Sequence, residues 1–295
     1  MMNEIRFDAL LPPEMATRAE YLGVRKAEMP AFKMFTLAVL AGAFISLGAI
    51  FSIVVSTGTF TVSSADGQML YSIAMPYGLS RLLAGLVFCL GLILVIVGGA
   101  ELFTGNTLIV MAWANKKVST YALLRNWTIV YAGNFVGAIG TVILTVLAKH
   151  YTFAAGAVGV TAIKIALSKV TLGFWPALML GILCNALVCL AVWMTFSARN
   201  TIDKIIAILF PISAFVAAGF EHSIANMFFI PYALLIQVFD SGFIATLADQ
   251  ITNLDQLTWS AFFWDNLIPV TIGNIIGGAV LVAAVYWSVF LRNRE

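Results

Sequence analysis

Gly219-Phe-Glu-His-Ser-Ile-Ala-Asn226 sets a glutamate, a histidine and an asparagine between two strongly apolar runs, Ile205 to Ala218 and Met227 to Val238. Without Glu221 and His222 the whole stretch would read as one long membrane helix. Ionisable side chains at membrane depth are costly, which makes them functional candidates by default. The rest of the chain is organised around this interruption.

The 295 residues are 61% hydrophobic and 10% charged, with a mean hydropathy of +0.99. That balance is far from a soluble domain and indicates an integral membrane protein. A formal net charge of +2 without a dense Lys/Arg block gives no reason to expect a nucleic-acid partner. Cys89, Cys184 and Cys189 all fall in apolar segments and read as small packing residues, so no disulfide framework is implied. His150 and His222 are the two histidines, and neither has a His or Cys at metal-ligand spacing. No metal or cofactor is expected. No nucleophile and base pair accompanies His222, so an enzyme is not expected either.

Six segments are long enough to cross a hydrocarbon core, which needs about 20 helical residues. They lie near 34–56, 79–113, 126–148, 172–198, 204–239 and 264–291. The second and fifth are too long for a simple crossing and carry polar or glycine-rich interruptions, so both read as broken helices. Residues 1–33 are polar and lack a signal peptide's apolar core and cleavage site. They contain a short amphipathic helix opened by Pro12-Pro13 and closed by Gly23, fit to lie on the membrane surface or on the mouth of the protein. The expected division is a cytoplasmic segment 1–33, a membrane domain 34–291 and a cytoplasmic tail 292–295. Of the 16 Lys and Arg residues, only Arg81, Lys149, Lys164 and Lys169 fall outside when the N-terminus is placed inside. The positive-inside rule therefore favours cytoplasmic termini.

The two long segments share a pattern. Gly99-Ala-Glu-Leu-Phe-Thr-Gly-Asn106 and the opening stretch both spell Gly-x-Glu, three residues, a small residue, then Asn. In the same order, Gly133-Asn134-Phe-Val-Gly137 is matched by Gly273-Asn274-Ile-Ile-Gly277, and Gly42-x-x-x-Ser46 by Gly181-x-x-x-Asn185. The repeats span about 34–148 and 172–291, and an odd number of crossings in each makes them inverted. Two broken helices related by a pseudo-twofold axis bring their free backbone ends to one region, where a solute would pass. Helix N-termini at that point attract an anion.

At these residues the chain resembles the formate/nitrite transporter family, and within it the formate channels. The resemblance runs from Phe7-Asp-Ala-Leu-Leu-Pro-Pro13 to Tyr286-Trp287, with Phe88-Cys-Leu-Gly-Leu92, Glu101-Leu-Phe-Thr104, Leu190-Ala-Val-Trp-Met194, Gly219 to Met227 and Asp265 to Asn274 as its most specific stretches. It implies an all-α membrane protein with an aquaporin-like fold of six transmembrane helices, the second and fifth broken. It further implies a homopentamer in the bacterial inner membrane, each protomer with its own pore for formate and related small monovalent anions. By the same resemblance His222 is the central pore histidine and Thr104 belongs to the loop facing it. Phe88, Leu92 and Phe215 match apolar constrictions, with Leu102 and Phe103 beside the loop. Lys169, Asn185, Glu221, Glu101 and Asn226 match the supporting polar network. Glu101 departs from close relatives that carry Asp, leaving its hydrogen-bond partner open.

A carboxylate does not cheaply cross rings of Phe and Leu, whereas the neutral acid does. Lys169 would draw the anion inward, and His222, which titrates near neutral pH in water, would hydrogen-bond or protonate it. Nitrite or hydrosulfide remains an alternative substrate, and a carrier an alternative to a channel. A neutral-solute pore is weakened by the absence of paired Asn-Pro-Ala signatures.

Overall fold

The computed structural model describes residues 8–292 apart from 59, 65, 67, 74 and 248–250. The start of the expected N-terminal segment, with Arg6 and Phe7, and the expected tail beyond Arg292, with Arg294, lie outside the described residues.

Six helices are long and apolar enough to cross a membrane: α2 (Ala31–Val55), α3 (Tyr77–Gly98), α5 (Thr120–Leu147), α7 (Phe174–Ser197), α8 (Thr201–Ala218) and α10 (Trp259–Phe290). Two shorter apolar helices, α4 (Phe103–Ala114) and α9 (Ser223–Phe239), follow α3 and α8. The protein is thus a multi-pass membrane protein whose crossings are all helical, with α3–α4 and α8–α9 where the two long segments were expected. The N-terminal helix α1 covers Pro12–Ala27, running one turn past the Gly23 at which the sequence reading closed it. Two features go beyond the sequence reading: a second short helix α6 covers Ala157–Val170, and a small antiparallel hairpin pairs Phe60–Ser63 with Met69–Ile73 between α2 and α3.

Both interrupted helices stop for the same reason. Gly99 and Gly219 sit at φ 74° and 78°, in the left-handed region where only glycine avoids a Cβ clash, and the chain leaves the helix there. At their starts, α5 and α8 carry side-chain caps. Ser119 accepts the Ala122 N–H at the start of α5, and Asn200 and Asp203 form a reciprocal box at the start of α8.

The packing is duplicated as well. α2 lies against α3 and α5, α7 lies against α8 and α10, and α3 and α8 meet between the halves. Lipid does not drive helices together by the hydrophobic effect, so close backbone contact needs small residues. A Cβ on Gly42 would sit 2.0 Å from the Asn134 carbonyl oxygen, and one on Gly137 2.0 Å from that of Val39. α2 and α5 therefore touch backbone to backbone.

α1 docks on the protein, not on lipid alone. Met15, Ala19, Gly23 and Ala27, four residues apart, are buried against α4, α5, α7 and the end of α10. α6 carries the same spacing in Val158, Ala162, Ala166 and Val170, and packs mainly on α9. α1 precedes α2 as α6 precedes α7, so each half begins with a short docking helix.

Candidate functional site

The two chain breaks are framed by the same contacts. In the first, Glu101 Oε1 accepts from Lys26 Nζ at 2.7 Å and Oε2 from Asn106 Nδ2 at 2.7 Å. Asn106 Nδ2 also donates to Asn126 Oδ1, whose own amide donates to the Lys26 carbonyl. Asn134 spans the break, taking the Phe103 N–H on Oδ1 and giving its amide to the carbonyls of Glu101 and Ala38.

In the second break, Glu221 Oε1 accepts from Lys169 Nζ at 2.8 Å and Oε2 from Asn226 Nδ2 at 2.7 Å. Asn226 Nδ2 donates to Asn266 Oδ1, and Asn266 donates to the Lys169 carbonyl. Asn274 takes the Ser223 N–H and gives its amide to the carbonyls of Glu221 and Gly181. Backbone groups freed by a helix break in an apolar medium need partners, and the glutamate and asparagines supply them.

Lys26 is the charged member of this frame that sequence reasoning missed, and Asn126 and Asn266 went unassigned with it. The repeat was drawn from residue 34, which left out α1 and α6. Lys26 stands one residue before Ala27 and Lys169 one before Val170, the last members of two matching four-residue stripes. That shared spacing was the available signal. Lys26 and Asn106 answer the question of the Glu101 partner.

Between the breaks lies His222, the residue before α9, buried with Thr104. Its Nδ1 accepts the Ala225 N–H at 3.1 Å, capping α9, and its Nε2 lies 3.1 Å from Thr104 Oγ1. Since Nδ1 is the acceptor of a backbone donor, the hydrogen bonds assign the proton of the neutral ring to Nε2. Nε2–H then donates to the Thr104 hydroxyl, which keeps its own proton to give to another acceptor. A second proton on the ring would displace the capping bond.

Apolar side chains close the surroundings. Ile45, Phe88, Leu92, Leu102, Val188, Ile212, Phe215 and His222 line a gap of about 10 Å³, the size of a single water. The Phe215 ring stacks on the imidazole at 5.9 Å and meets Phe88 edge-on at 5.7 Å. Phe88 in turn stacks on Phe229, over whose ring Lys169 Nζ lies at 5.5 Å. On the α1 side a cavity of about 560 Å³ is lined by Arg18, Arg25, Lys26, Lys33 and Lys204 and ends on Leu92 and Leu102, which also line the small gap. These two leucines are the partition between the wide cavity and the histidine.

The structure thus brings together His222, Thr104, Phe88, Leu92, Leu102 and Phe215, and joins Lys169, Glu221 and Asn226 in one network. Phe103 is elsewhere: its ring packs on Trp127 and Tyr131 of α5, and its N–H is what the break uses. Asn185 does not touch Lys169 or Glu221; it bonds the carbonyls of Thr104 and Asn274. Among the described residues no group of three or more His, Cys, Asp and Glu could hold a metal.

Residues 13–288 match the family model described as formate/nitrite transporter. The chain is 46% identical over 290 residues to the formate channel FocA of Escherichia coli, covering 98% of this chain and 97% of the relative. It is 38% identical over 275 residues to the formate channel FocA of Haemophilus influenzae, covering 93% and 92%. A solved structure of a pentameric formate channel with formate bound superposes with a TM-score of 0.78 at 44% identity, covering 89% of this chain and 98% of that one. Sequence and fold agree along nearly the whole length, and the chain belongs to the formate/nitrite transporter family.

Proposed function

We propose that the protein is a transmembrane channel for formate and related small monovalent anions, working as a homopentamer with one pore per protomer. It sits in a bacterial inner membrane with both termini cytoplasmic, its two halves inverted, and it catalyses no reaction. The observation that carries this reading is the pairing of His222 Nε2 with the Thr104 hydroxyl, at the one polar spot between Leu92/Leu102 and Phe88/Phe215. The pair offers an acid or its anion hydrogen-bond donors where the walls offer none.

Passage follows from the order of groups along the path. Lys26 on one side and Lys169 on the other attract the anion, each steadied by its glutamate. At the centre the oxygens exchange water for Nε2–H and the Thr104 hydroxyl. The Nε2–H of a neutral imidazole is too weak an acid to protonate formate, since its loss would leave an imidazolate, so acid-driven import that carries a proton uses the doubly protonated ring, with the Ala225 N–H released from Nδ1. Passive export needs no such release. The nearest alternative, nitrite or hydrosulfide as the main substrate of the same pore, shares every group named here.

Flux of formate, nitrite and hydrosulfide into proteoliposomes tests the substrate, and His222→Asn tests the mechanism. Asparagine is a good helix N-cap, so α9 keeps its start while the titratable ring is lost. Acid-driven formate uptake falls to the leak level in this variant; uptake equal to that of the native protein would sink the role of His222.

A further inference from the structure

Thr104 lies in the first turn of α4, whose geometry changes along its length. α4 begins with the α-helical turn Phe103–Asn106, tightens to a 3₁₀ turn over Thr107–Ile109 and resumes at Val110. The Thr104 carbonyl accepts from three side chains: Thr107 Oγ1 at 2.7 Å, Asn185 Nδ2 at 3.2 Å and Cys189 Sγ at 3.4 Å. Thr107 Oγ1 and Cys189 Sγ also meet at 3.2 Å, and Asn185 runs on to the Asn274 carbonyl at 2.6 Å. All of these side chains are buried.

The cluster is closed on its fourth side by Gly278, in a π-helical stretch of α10. A Cβ there would sit 2.1 Å from Thr107 Oγ1, 2.5 Å from Asn185 Nδ2 and 2.7 Å from Cys189 Sγ. The cluster draws residues from both halves, and the positions related to them by the repeat carry different side chains. Counting from the paired glutamates and glycines, Ile224, Met227, Ser46, Ile50 and Ala138 stand where Thr104, Thr107, Asn185, Cys189 and Gly278 stand in this cluster.

We infer that Thr107 and Cys189, seated by Gly278, are positioning residues that fix the Thr104 hydroxyl against His222. This rests on the pore reading above and adds to it: a hydroxyl three residues before Thr107 is aimed by a cluster that touches neither the ring nor the path. A widened helix at Gly278 makes room for the thiol and hydroxyl, and any side chain there would push the turn.

Thr107→Val keeps the shape and removes the donor, whereas Thr107→Ser keeps the donor. In proteoliposomes Thr107→Val lowers formate flux about tenfold, the scale of one lost hydrogen bond to a carbonyl, and alters the pH profile of uptake. Thr107→Ser stays within about twofold by the same reasoning. Cys189→Ala serves as the second variant if Thr107→Val does not assemble, with a loss of about threefold because a thiol is a weaker donor. A structure of the same variant reads the position directly, and the Thr104–His222 contact is lengthened beyond hydrogen-bond range. Flux, pH profile and contact unchanged in an assembled variant would overturn the inference. Absence of formate flux in the native protein would overturn the pore reading instead, leaving the measured contact to decide this one.

Discussion

The break at Gly99 and the break at Gly219 share a frame of glutamate, lysine and three asparagines, yet they differ at the residue after the glutamate. There the first half has Leu102 and the second has His222. They also differ in how the lysine is held. Lys26 bonds both Glu101 and Asn106 and leaves 33% of its side chain exposed toward the wide cavity, while Lys169 bonds Glu221 alone and is 13% exposed. The shared frame satisfies both chain breaks alike, and the histidine is present at one of them.

The largest test of this contrast is the removal of each glutamate. Glu221 accepts from Lys169, Asn226 and Asn266, so Glu221→Ala leaves the largely buried Lys169 ammonium without its carboxylate, while the two asparagines keep their bonds to each other and to the Lys169 carbonyl. Breaking a buried ion pair by deleting one partner costs about 3–5 kcal/mol. Glu101→Ala leaves Lys26 its bond to Asn106 and Asn106 its bond to Asn126, and Lys26 reaches the cavity where it is solvated, so screening reduces the cost to about 1 kcal/mol. Chemical unfolding of the detergent-solubilised protein orders the two variants. Equal losses would mean that the two frames are energetically alike despite their different exposure.

How much of this was legible depended on length and on side chains that repeat. Hydropathy found the six crossings because each carries about 20 apolar residues, and the Gly-x-Glu pattern located both breaks since the glycine ends the helix and the glutamate serves its free ends. α6 was passed over because fourteen residues with Lys164 and Lys169 cannot span a membrane, although its four-residue stripe from Val158 to Val170 was in view. The hairpin went unread although Asp66-Gly67 is a strong turn signal between its strands. Resemblance put Phe103 beside the loop, but only packing shows that its ring turns to Trp127 and Tyr131. No spacing in the sequence links Thr107, Cys189 and Gly278, which come from three helices and meet through the fold.

The glycine contacts sharpen the comparison at a smaller scale. A Cβ on Gly42 would lie 2.0 Å from the Asn134 carbonyl, while one on Gly181, its counterpart, would lie 2.8 Å from that of Val270. Both approaches are to backbone, which cannot rotate away. Overpacking of this kind costs about 1–3 kcal/mol. Gly42→Ala belongs at the upper end and Gly181→Ala at the lower. Thermal unfolding in one detergent measures the difference, and a reversed order would show that α2 and α5 part more easily than α7 and α10.

The smallest effect lies at the end of α9, outside the crossings. The Asp240 carboxyl accepts the Phe243 N–H and the Tyr151 hydroxyl, which, in that order, hold it below the ordinary aspartate value of 3.8. A carboxyl with a depressed folded value contributes stability above its unfolded value and loses it as pH falls through the folded one. Tyr151→Phe removes one of the two donors, so the variant is slightly less stable than the native protein at neutral pH. Below pH 3.8 the gap narrows as the carboxyl takes up its proton in both proteins. Paired unfolding curves at neutral and acid pH read the gap directly. Phenylalanine keeps the ring packing on Phe243, 5.2 Å between centroids, so a gap of the same size at both pH values would show that the Tyr151 hydroxyl contributes independently of the Asp240 charge.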